Sequence, residues 1–156
     1  QARGLPVQKE DILTFLRANS ESLDAVIALD VLEHFTKDEL CELAMRLHAI
    51  LTAGGVLVVQ TPNGAGLFPA MVADGDFTHM TVFTPSSFRQ LFSSVGFVDF
   101  SFRETGPVPH SVRGLLRKAV WRLVTSAANA VRMIECGKRQ SVWTENMICR
   151  CRKGGS

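Results

Sequence analysis

The chain alternates two hydrophobic patterns, namely short unbroken apolar runs and longer stretches in which apolar residues recur every three or four positions. The unbroken runs at 25–29 and 56–60 have polar neighbours, which is typical of strands buried on both faces of a parallel sheet. Between them lies a helical stripe that begins with a Thr36-Lys-Asp-Glu39 capping box. A strand, a helix and a strand with short connections predict a right-handed parallel crossover.

The remaining elements follow from turn and capping residues as well as from periodicity. Gly54-Gly55 is expected to end the first helix, and Thr84-Pro85 to begin another that ends at Gly96. The other predicted elements are a short strand at 5–8, a long functional loop with one helical turn at 62–83, a half-exposed strand at 97–103, a helical stretch at 112–134 that is either continuous or broken once, and a closing strand at 143–152. This alternation predicts an α/β fold. We expect one domain over 1–156, in which 107–140 is a helical insertion before the last strand.

The composition fits a soluble globular domain and excludes several classes of function. The 156 residues are 46% apolar and 21% charged, and the formal charge of +2 is too small to indicate a nucleic-acid partner. No apolar run reaches the ~18 residues that a membrane span needs. The four cysteines form no CxxC pair, which is typical of a reduced, cytoplasmic protein. The chain opens on Gln1 rather than Met, so we expect it to be part of a longer protein.

Polar residues follow the apolar strands at the points where the strands are expected to end. The segment 30–34 follows the run at 25–29, Asp11 follows the first predicted strand, and 61–63 follows the next run. Because ligand crevices lie beyond the carboxyl ends of parallel strands, we expect these side chains to share one crevice. The alternative is that the two acids within 30–34 only cap the next helix.

Three segments occur together in order along the chain. They are DAVIALDVLEH from Asp24, LTAGGVLVVQTPN from Leu51 and THMTVFTPSSFRQLFSSVGF from Thr78. Together they resemble the class I S-adenosylmethionine-dependent methyltransferases, in particular the branch that acts on small molecules and on glycan or lipid precursors. The resemblance runs from Val7 to Phe97. It implies a Rossmann-like sheet, S-adenosyl-L-methionine as the cofactor and a small-molecule methyl acceptor.

The resemblance also implies cofactor contacts for individual residues. Asp11 matches the acid that accepts a hydrogen bond from the adenine amino group, and Ile12 matches the residue that packs on the ring. The tip of the strand at 25–29 matches the positions that line the methionine side of the cofactor, which are Asp30, Val31 and Leu32.

Two histidines match positions that face the substrate mouth in the resembled family, His34 and His79. Asn63 is a further candidate for acceptor binding. For a hydroxyl acceptor, either histidine is a candidate base, since the unperturbed pKa of histidine lies near neutrality. The alternative for each is a histidine that only hydrogen-bonds its loop in place.

Two cofactor-binding features of the resembled family are absent from the sequence. The glycine-rich loop after the family's first strand and the acid on its second strand should precede Gln1. Gly64-Ala-Gly66 is a poor substitute because Pro69 occupies the place of the third glycine. The Rossmann-like sheet is therefore expected to lack its first two strands, which leaves the strand at 24–29 at an open edge. Such an edge favours homodimerisation or strand swapping.

No metal site is expected from the sequence. His34, Cys41 and His48 are spaced by seven residues, which on one helix separates neighbours by ~10 Å, too far to share one zinc ion. The segment Asp74-Gly75-Asp76 resembles the start of a calcium loop, but Pro85 stands where a bidentate glutamate is needed.

The predicted helix at 112–134 has an apolar face and, near its start, a basic face. One interpretation is a cover helix that packs on the sheet and leaves its basic face in solvent. The other is an interfacial helix at a membrane, or a lip for anionic substrates such as phospholipid-linked or nucleotide-linked acceptors. The basic residues are Arg113, Arg117, Lys118 and Arg122.

Two functional hypotheses follow from the sequence. In the first, the chain is the C-terminal part of a methyltransferase, which is an enzyme when intact and inactive as an isolated fragment. In the second, it is a non-catalytic binding or scaffold module that keeps a methyltransferase-like sheet. A glycine-rich motif upstream in the same protein would favour the first hypothesis.

Overall fold

A computed structural model describes residues 7–20, 22–73 and 75–155. Within them the chain forms strands and helices that alternate, which confirms the α/β prediction. The elements in chain order are α1 (Ile12–Ala18), β1 (Leu23–Leu29), a 3-10 turn (Leu32–His34), α2 (Lys37–Ile50), β2 (Leu51–Pro62), α3 (Pro69–Ala73), α4 (Pro85–Ser94), β3 (Phe97–Glu104), α5 (Val112–Cys136) and β4 (Asn146–Lys153).

The strands of the described residues form one sheet in the order β1–β2–β4–β3. β1 and β2 are parallel and are joined through α2, whereas β4 runs antiparallel to both of its neighbours. The predicted capping box is present at the start of α2, where Thr36 and Glu39 exchange hydrogen bonds. The parallel crossover is therefore confirmed, and β1 lies at one edge of this sheet.

One face of the sheet packs against helices and forms the core. Leu57 and Val59 of β2 and Cys149 and Cys151 of β4 are fully buried on this face. The helices contribute Leu13, Leu16, Leu40, Leu43, Ala44, Leu47, Ile50, Phe88 and Phe92 to the same cluster. Each fully buried Leu or Phe contributes ~1.5–3 kcal/mol. This packing fixes the strand ends and the polar residues that follow them.

The opposite face of the sheet is exposed at β1. Ile27 and Leu29 point to this face and are 66% and 60% exposed, whereas Val26 and Ala28 point into the core. The prediction that the run at 25–29 is buried on both faces is therefore wrong for the described residues. No described element covers this part of the sheet.

The boundary between α2 and β2 differs from the prediction. α2 ends at Ile50 and Leu51 already pairs with β1, so Gly54-Gly55 does not end the helix. The register between the two strands shifts before Val56, and Gly54 lies in this bulge with a left-handed φ of 76°. Glycine adopts that conformation without steric cost. The glycine pair therefore serves a bulge rather than a helix cap.

The first predicted strand, at 5–8, lies partly outside the described residues. Val7 and Gln8, which are described, belong to no strand. Asp11 caps α1, where its carboxylate accepts the backbone N–H of Thr14 at 2.9 Å, and none of the described residues before it lies in a strand.

The long helix α5 is continuous over 25 residues, and none of its residues is buried. This does not agree with the interpretation as a cover helix on the sheet. Side-chain hydrogen bonds anchor it instead: Trp121 Nε1 donates to Glu104 at 3.0 Å, and Asn129 exchanges two hydrogen bonds with Gln140. Within the described residues, no helix combines the length and the apolar character that crossing a bilayer requires.

Candidate active site

A cleft of about 300 Å³ lies beyond the carboxyl ends of β1 and β2, which is where ligands bind in open α/β sheets. Its walls come from the strand ends, from the 3-10 turn after β1, and from α3 with the loop that follows it. The lining residues are Asp30, Glu33, His34, Pro62, Met71, Val72, Gly75, Asp76, His79 and Asn146. Carboxylates and imidazoles from separate segments thus meet in one small space.

Asp30 ends β1 in a left-handed backbone conformation, with a φ of 52°. Non-glycine residues rarely adopt this conformation, although Asp and Asn are several-fold enriched among those that do. Two hydrogen bonds to Gln60 of β2 hold Asp30 there: its N–H donates to the Gln60 carbonyl at 3.0 Å, and its carboxylate accepts Gln60 Nε2 at 2.9 Å. The sharp turn directs the chain away from β1 and into the 3-10 turn.

Glu33 is a buried carboxylate at the base of the cleft, with 1% of its surface exposed. The Thr61 hydroxyl donates to its Oε2 at 3.2 Å, and its backbone carbonyl accepts the N–H groups of Met80 (2.8 Å) and Thr81 (3.0 Å). These bonds tie the distant segment around residue 80 to the end of β1. Within the described residues, no Lys or Arg side chain forms an ion pair with this carboxylate. A buried carboxylate without a positive partner is costly.

The rings of His34 and His79 lie 5.1 Å apart between their centroids. His79 Nδ1 is 2.9 Å from the carbonyl oxygen of Val72, and because a carbonyl only accepts, Nδ1 carries the proton. His34 Nδ1 lies 3.0 Å from the Thr78 hydroxyl, whose own proton goes to Asp76. His34 Nδ1 is therefore also the donor. In both rings the lone pair belongs to Nε2.

Asp76 organises the loop that carries His79. Its Oδ1 accepts the backbone N–H of Thr78 at 2.9 Å and the Thr78 hydroxyl at 2.7 Å. These hydrogen bonds lower the pKa of the Asp76 carboxyl from its ordinary value of 3.8. The result is a chain of three groups, from Asp76 through Thr78 to His34, that fixes the orientation of the imidazole.

A second and larger cleft, of about 770 Å³, lies between α5 and the loops at the ends of β3 and β4. Its α5 wall is mostly apolar and includes Leu116, Arg117, Val120, Trp121 and Val124. The opposite wall is formed by 67–68, 105–107 and 143–146. Asn146 lines both clefts, so they adjoin at the start of β4.

A family profile described as a methyltransferase domain matches residues 5–101, which is more than half of the 156 residues. The chain belongs to this methyltransferase family. The matched region includes β1, β2 and every residue of the first cleft except Asn146.

Solved methyltransferase structures share the fold of this domain at low sequence identity. A SAM-dependent methyltransferase from Archaeoglobus fulgidus superposes with a TM-score of 0.68 at 17% identity, over 97% of this chain and 69% of that one. Human N-acetylserotonin methyltransferase, solved in complex with SAM, superposes with a TM-score of 0.52 at 19% identity, over 85% of this chain and 30% of that one. A SAM-dependent methyltransferase from Thermotoga maritima, described as a possible histamine N-methyltransferase, superposes with a TM-score of 0.53 at 14% identity. The match covers 86% of this chain and 57% of that one.

The methyltransferase chain is thus shorter than these neighbours, spanning between 30% and 69% of their length. No curated protein matches it at a significant level.

The structure brings some of the predicted site residues of the methyltransferase domain together and separates others. Asp30, His34 and His79 all line the first cleft. Asn63 does not line it: the side chain is fully buried, its amide donates to the carbonyls of Val142 and Thr144, and its oxygen accepts the N–H of Ala65. That amide holds the strand ends together and has no group left for a substrate.

The predicted cofactor contacts also divide into two groups. Leu32 is fully buried in the core and Val31 is half-buried against it, so both pack against the core next to the end of β1 and do not line the cleft. Asp11 and Ile12 lie at the start of α1 and do not line the cleft. Their predicted contact with adenine therefore stays a prediction.

Two residues that matter in the cleft, Asp76 and Thr78, have no role in the sequence prediction. Glu33 belongs to the segment 30–34, which is predicted to lie at the crevice, with a helix cap as the alternative, but its burial is not predicted. The Asp-x-Thr spacing at 76–78 is a turn signal, because Asp side chains bond backbone N–H groups two residues onward. That signal could have predicted the local turn but not its contact with His34.

Proposed function

We propose that the chain is part of an enzyme that transfers a methyl group from S-adenosyl-L-methionine to a small-molecule acceptor, such as a glycan or lipid precursor. The observation that carries the proposal is the first cleft, where carboxylates and imidazoles gather at the strand ends of a methyltransferase domain. The neighbours from Archaeoglobus fulgidus and human, described as SAM-dependent and as complexed with SAM, support this cofactor.

The charges around the cleft suit this cofactor. S-adenosyl-L-methionine carries a methyl group on a positive sulfur and also a positive ammonium group. The carboxylates of Asp30 and Asp76 line the cleft and offer complementary charge. At the start of α1, both hydrogen bonds from Thr14 end on Asp11 Oδ1, which leaves Oδ2 for an adenine amino group, with Ile12 half-buried beside it.

For a hydroxyl acceptor, the chemistry needs alignment and one proton transfer. The acceptor oxygen forms a bond to the methyl carbon while the bond from sulfur to that carbon breaks, and the electron pair stays on sulfur. The hydroxyl proton must pass to a base. The Nε2 lone pairs of His34 and His79 are the candidates, since the Nδ1 atoms of both rings donate to neighbouring groups.

We also propose that these residues form the C-terminal portion of the catalytic domain and build only one wall of the cofactor site. The exposed apolar face of β1 and the length relative to the neighbours support this. The 156 residues, studied alone, would then show little or no activity. Through the β1 edge they would dimerise or exchange strands. A monodisperse monomer in sedimentation, with β1 amides well protected from hydrogen exchange, would contradict that expectation.

Titration of the full-length protein with S-adenosylhomocysteine, followed by calorimetry, tests the central proposal. We expect saturable binding that weakens about tenfold in Asp30→Asn, because one lost charge-assisted hydrogen bond costs ~1.5 kcal/mol or more. Asp38→Asn, at the exposed start of α2, is the matched control and should bind as the parent does. A folded full-length protein that binds no S-adenosylhomocysteine would favour the non-catalytic binding module.

A second proposal concerns α5, which we infer contacts an anionic lipid surface. Leu115, Leu116 and Leu123 are exposed on a helix that also carries basic residues near its start. An exposed apolar face bordered by Lys and Arg is typical of helices that lie in a membrane interface. The adjoining cleft along α5 would then receive a lipid-linked acceptor close to the methyl-transfer site.

Vesicle co-sedimentation tests the second proposal. We expect the protein to bind vesicles with anionic lipid and not neutral ones, and Arg117→Ser with Arg122→Ser to lose this binding. Arg46→Ser, on α2 rather than α5, is the control. Equal binding by the double variant, together with unchanged acceptor affinity, would remove both the membrane and the anionic-lip interpretations.

A further inference from the structure

We propose that Glu33, His34 and His79 form a binding site for one divalent transition-metal ion. One potential ligand atom from each of the three side chains lies within 4.8 Å of the other two. Two ligands held at ~2.1 Å from one ion are at most ~4.2 Å apart, so side-chain movements of less than ~1 Å would close the site. Glu33 and His34 come from the 3-10 turn after β1 and His79 from the loop after α3, and the fold brings the two segments together.

The hydrogen bonds of the two imidazoles are those of metal ligands. A ligating histidine usually donates its second ring N–H to a carbonyl or another fixed acceptor, which sets the tautomer and the ring orientation. His79 donates from Nδ1 to the Val72 carbonyl, and His34 donates from Nδ1 to the Thr78 hydroxyl, which Asp76 fixes in turn. Both Nε2 lone pairs are thereby left for an ion.

The buried carboxylate of Glu33 is an independent observation that points to a cation. Its side chain is 1% exposed, lines the cleft, and receives only the Thr61 hydroxyl among the described side chains. No basic residue of the described chain forms an ion pair with it. Buried carboxylates are ordinarily paired with a charge or coordinate a metal. A divalent ion between Glu33 and the two imidazoles would supply the missing positive charge.

The donor set indicates which ions fit. Two imidazoles and one carboxylate are the ligands of catalytic zinc sites and of the facial-triad iron sites, and they also accept manganese. Magnesium and calcium prefer oxygen donors alone. Three protein ligands leave at least one coordination position open toward the cleft, which is typical of catalytic rather than structural sites.

This inference rests on the proposed function where it concerns the substrate. An ion with open positions favours an acceptor that chelates through two neighbouring oxygens. The ion would promote loss of the proton from the acceptor hydroxyl to solvent, after which that oxygen bonds the methyl carbon as the bond to sulfur breaks. Both histidines would then be ligands, and neither would act as the base.

Metal binding by the full-length protein tests the site without requiring activity. Cys41 and Cys136 are exposed thiols that also bind soft ions, so the measurements use a Cys41→Ser, Cys136→Ser background. The probe is Co²⁺, whose visible absorption reports imidazole ligation, with competition by Zn²⁺. We compare His34→Gln, His79→Gln and Glu33→Gln with the control His110→Gln, because His110 is exposed and lies outside the cleft.

We expect one ion per chain in the background protein and in His110→Gln. Each ligand variant should bind Co²⁺ at least about tenfold more weakly. Thr78→Ala, which removes the hydrogen-bond partner of His34, should lower the affinity for Co²⁺ by ~10–100-fold. His34 is exposed and His79 is half-buried, so their variants decide the outcome if Glu33→Gln fails to fold. No bound ion, or affinities within about twofold across His34→Gln, His79→Gln and His110→Gln, would overturn the proposal.

A parallel titration with S-adenosylhomocysteine separates this proposal from the proposed function. Cofactor binding without ion binding would remove the metal site and leave the methyltransferase function standing. Ion binding that requires both histidines, without cofactor binding, would support the site and contradict the function.

Discussion

The cleft at the strand ends and the helix α5 differ in how their side chains are held. In the cleft, Glu33, His34 and His79 each have a hydrogen-bond partner that fixes their orientation. Along α5, the apolar side chains are mostly exposed, and the described anchors are a few hydrogen bonds at Trp121 and Asn129. The side chains of the cleft are held in place without a ligand. The exposed apolar side chains of α5, by contrast, would be buried only by contact with a partner.

The difference shows where the stability of the chain lies. The cleft is built on the core cluster of β1, β2 and α2, so its geometry is determined by the fold. The helix α5 contributes no buried residue to that cluster and is expected to open locally without unfolding the sheet. Substitutions in the cleft and in α5 should therefore affect different parts of the chain.

The same truncation in the two regions should have very different effects. Leu32, beside the cleft, is fully buried, whereas Leu115 of α5 is 62% exposed. Leu32→Ala should lower the free energy of unfolding by about 2–5 kcal/mol, since it removes buried methyl groups and leaves a cavity. Leu115→Ala should change it by less than about 0.5 kcal/mol. Chemical denaturation of both variants measures the difference, and comparable losses would show that α5 is part of the folded core.

Local signals predicted much of this fold correctly. The starts of α2 and α4 depend only on residues close together in the chain, namely the capping box of Thr36 and Glu39 and the Thr84-Pro85 pair, so the sequence alone was sufficient to place them. The closing strand predicted at 143–152 is likewise present as β4, in which Met147, Cys149 and Cys151 alternate as buried residues. The end of α2 was misplaced because Leu51 can extend the helical stripe equally well, and only its pairing with β1 decides against the helix.

The candidate site was predictable only in part, because it depends on contacts between distant segments. The ring of His79 reaches His34 since the Glu33 carbonyl binds the N–H groups of Met80 and Thr81. No periodicity encodes that contact, because it joins segments that are more than 40 residues apart in the sequence. Asn63 was proposed for the substrate because it follows a strand, yet its amide binds carbonyls of Val142 and Thr144, far along the chain.

Loss of the Trp121 anchor should loosen α5 without affecting the cleft. The indole N–H donates to Glu104 Oε2, while Glu104 Oε1 accepts the backbone N–H of Trp143. Trp121→Phe removes one hydrogen bond, a net loss of about 0.5–1.5 kcal/mol. We expect hydrogen exchange to speed up within 112–136 and to stay unchanged in β1 and β2. Faster exchange throughout the sheet would contradict the separation of the two regions.

The left-handed conformation at Asp30 allows a test of whether the backbone turn into the cleft is fixed. Alanine is disfavoured at a φ of 52°, and glycine is not. Both substitutions remove the hydrogen bond that Gln60 Nε2 donates to the carboxylate of residue 30. The difference in stability between the two variants therefore reports the cost of the left-handed backbone conformation. Asp30→Ala should be about 1 kcal/mol less stable than Asp30→Gly, as measured by thermal or chemical unfolding. Equal stabilities would mean that residue 30 relaxes to an ordinary conformation and that the turn into the cleft is not fixed.

The smallest effect is expected in acid, at the exposed carboxylate of Asp76. Hydrogen bonds from Thr78 hold the pKa of this group below 3.8 in the folded chain, so the folded state binds the proton more weakly than the unfolded state. The stabilisation of the loop is therefore fully present above pH 3.8 and is lost as the pH falls from there through the lowered pKa. Nuclear magnetic resonance should show the Thr78 amide losing its hydrogen-bonded shift over that range. Asp76→Asn keeps an oxygen acceptor without a titrating group, so the same amide should then be insensitive to acid. If both proteins respond alike, the loop of His79 is held by something other than Asp76, and the cleft is less firmly organised than its hydrogen bonds indicate.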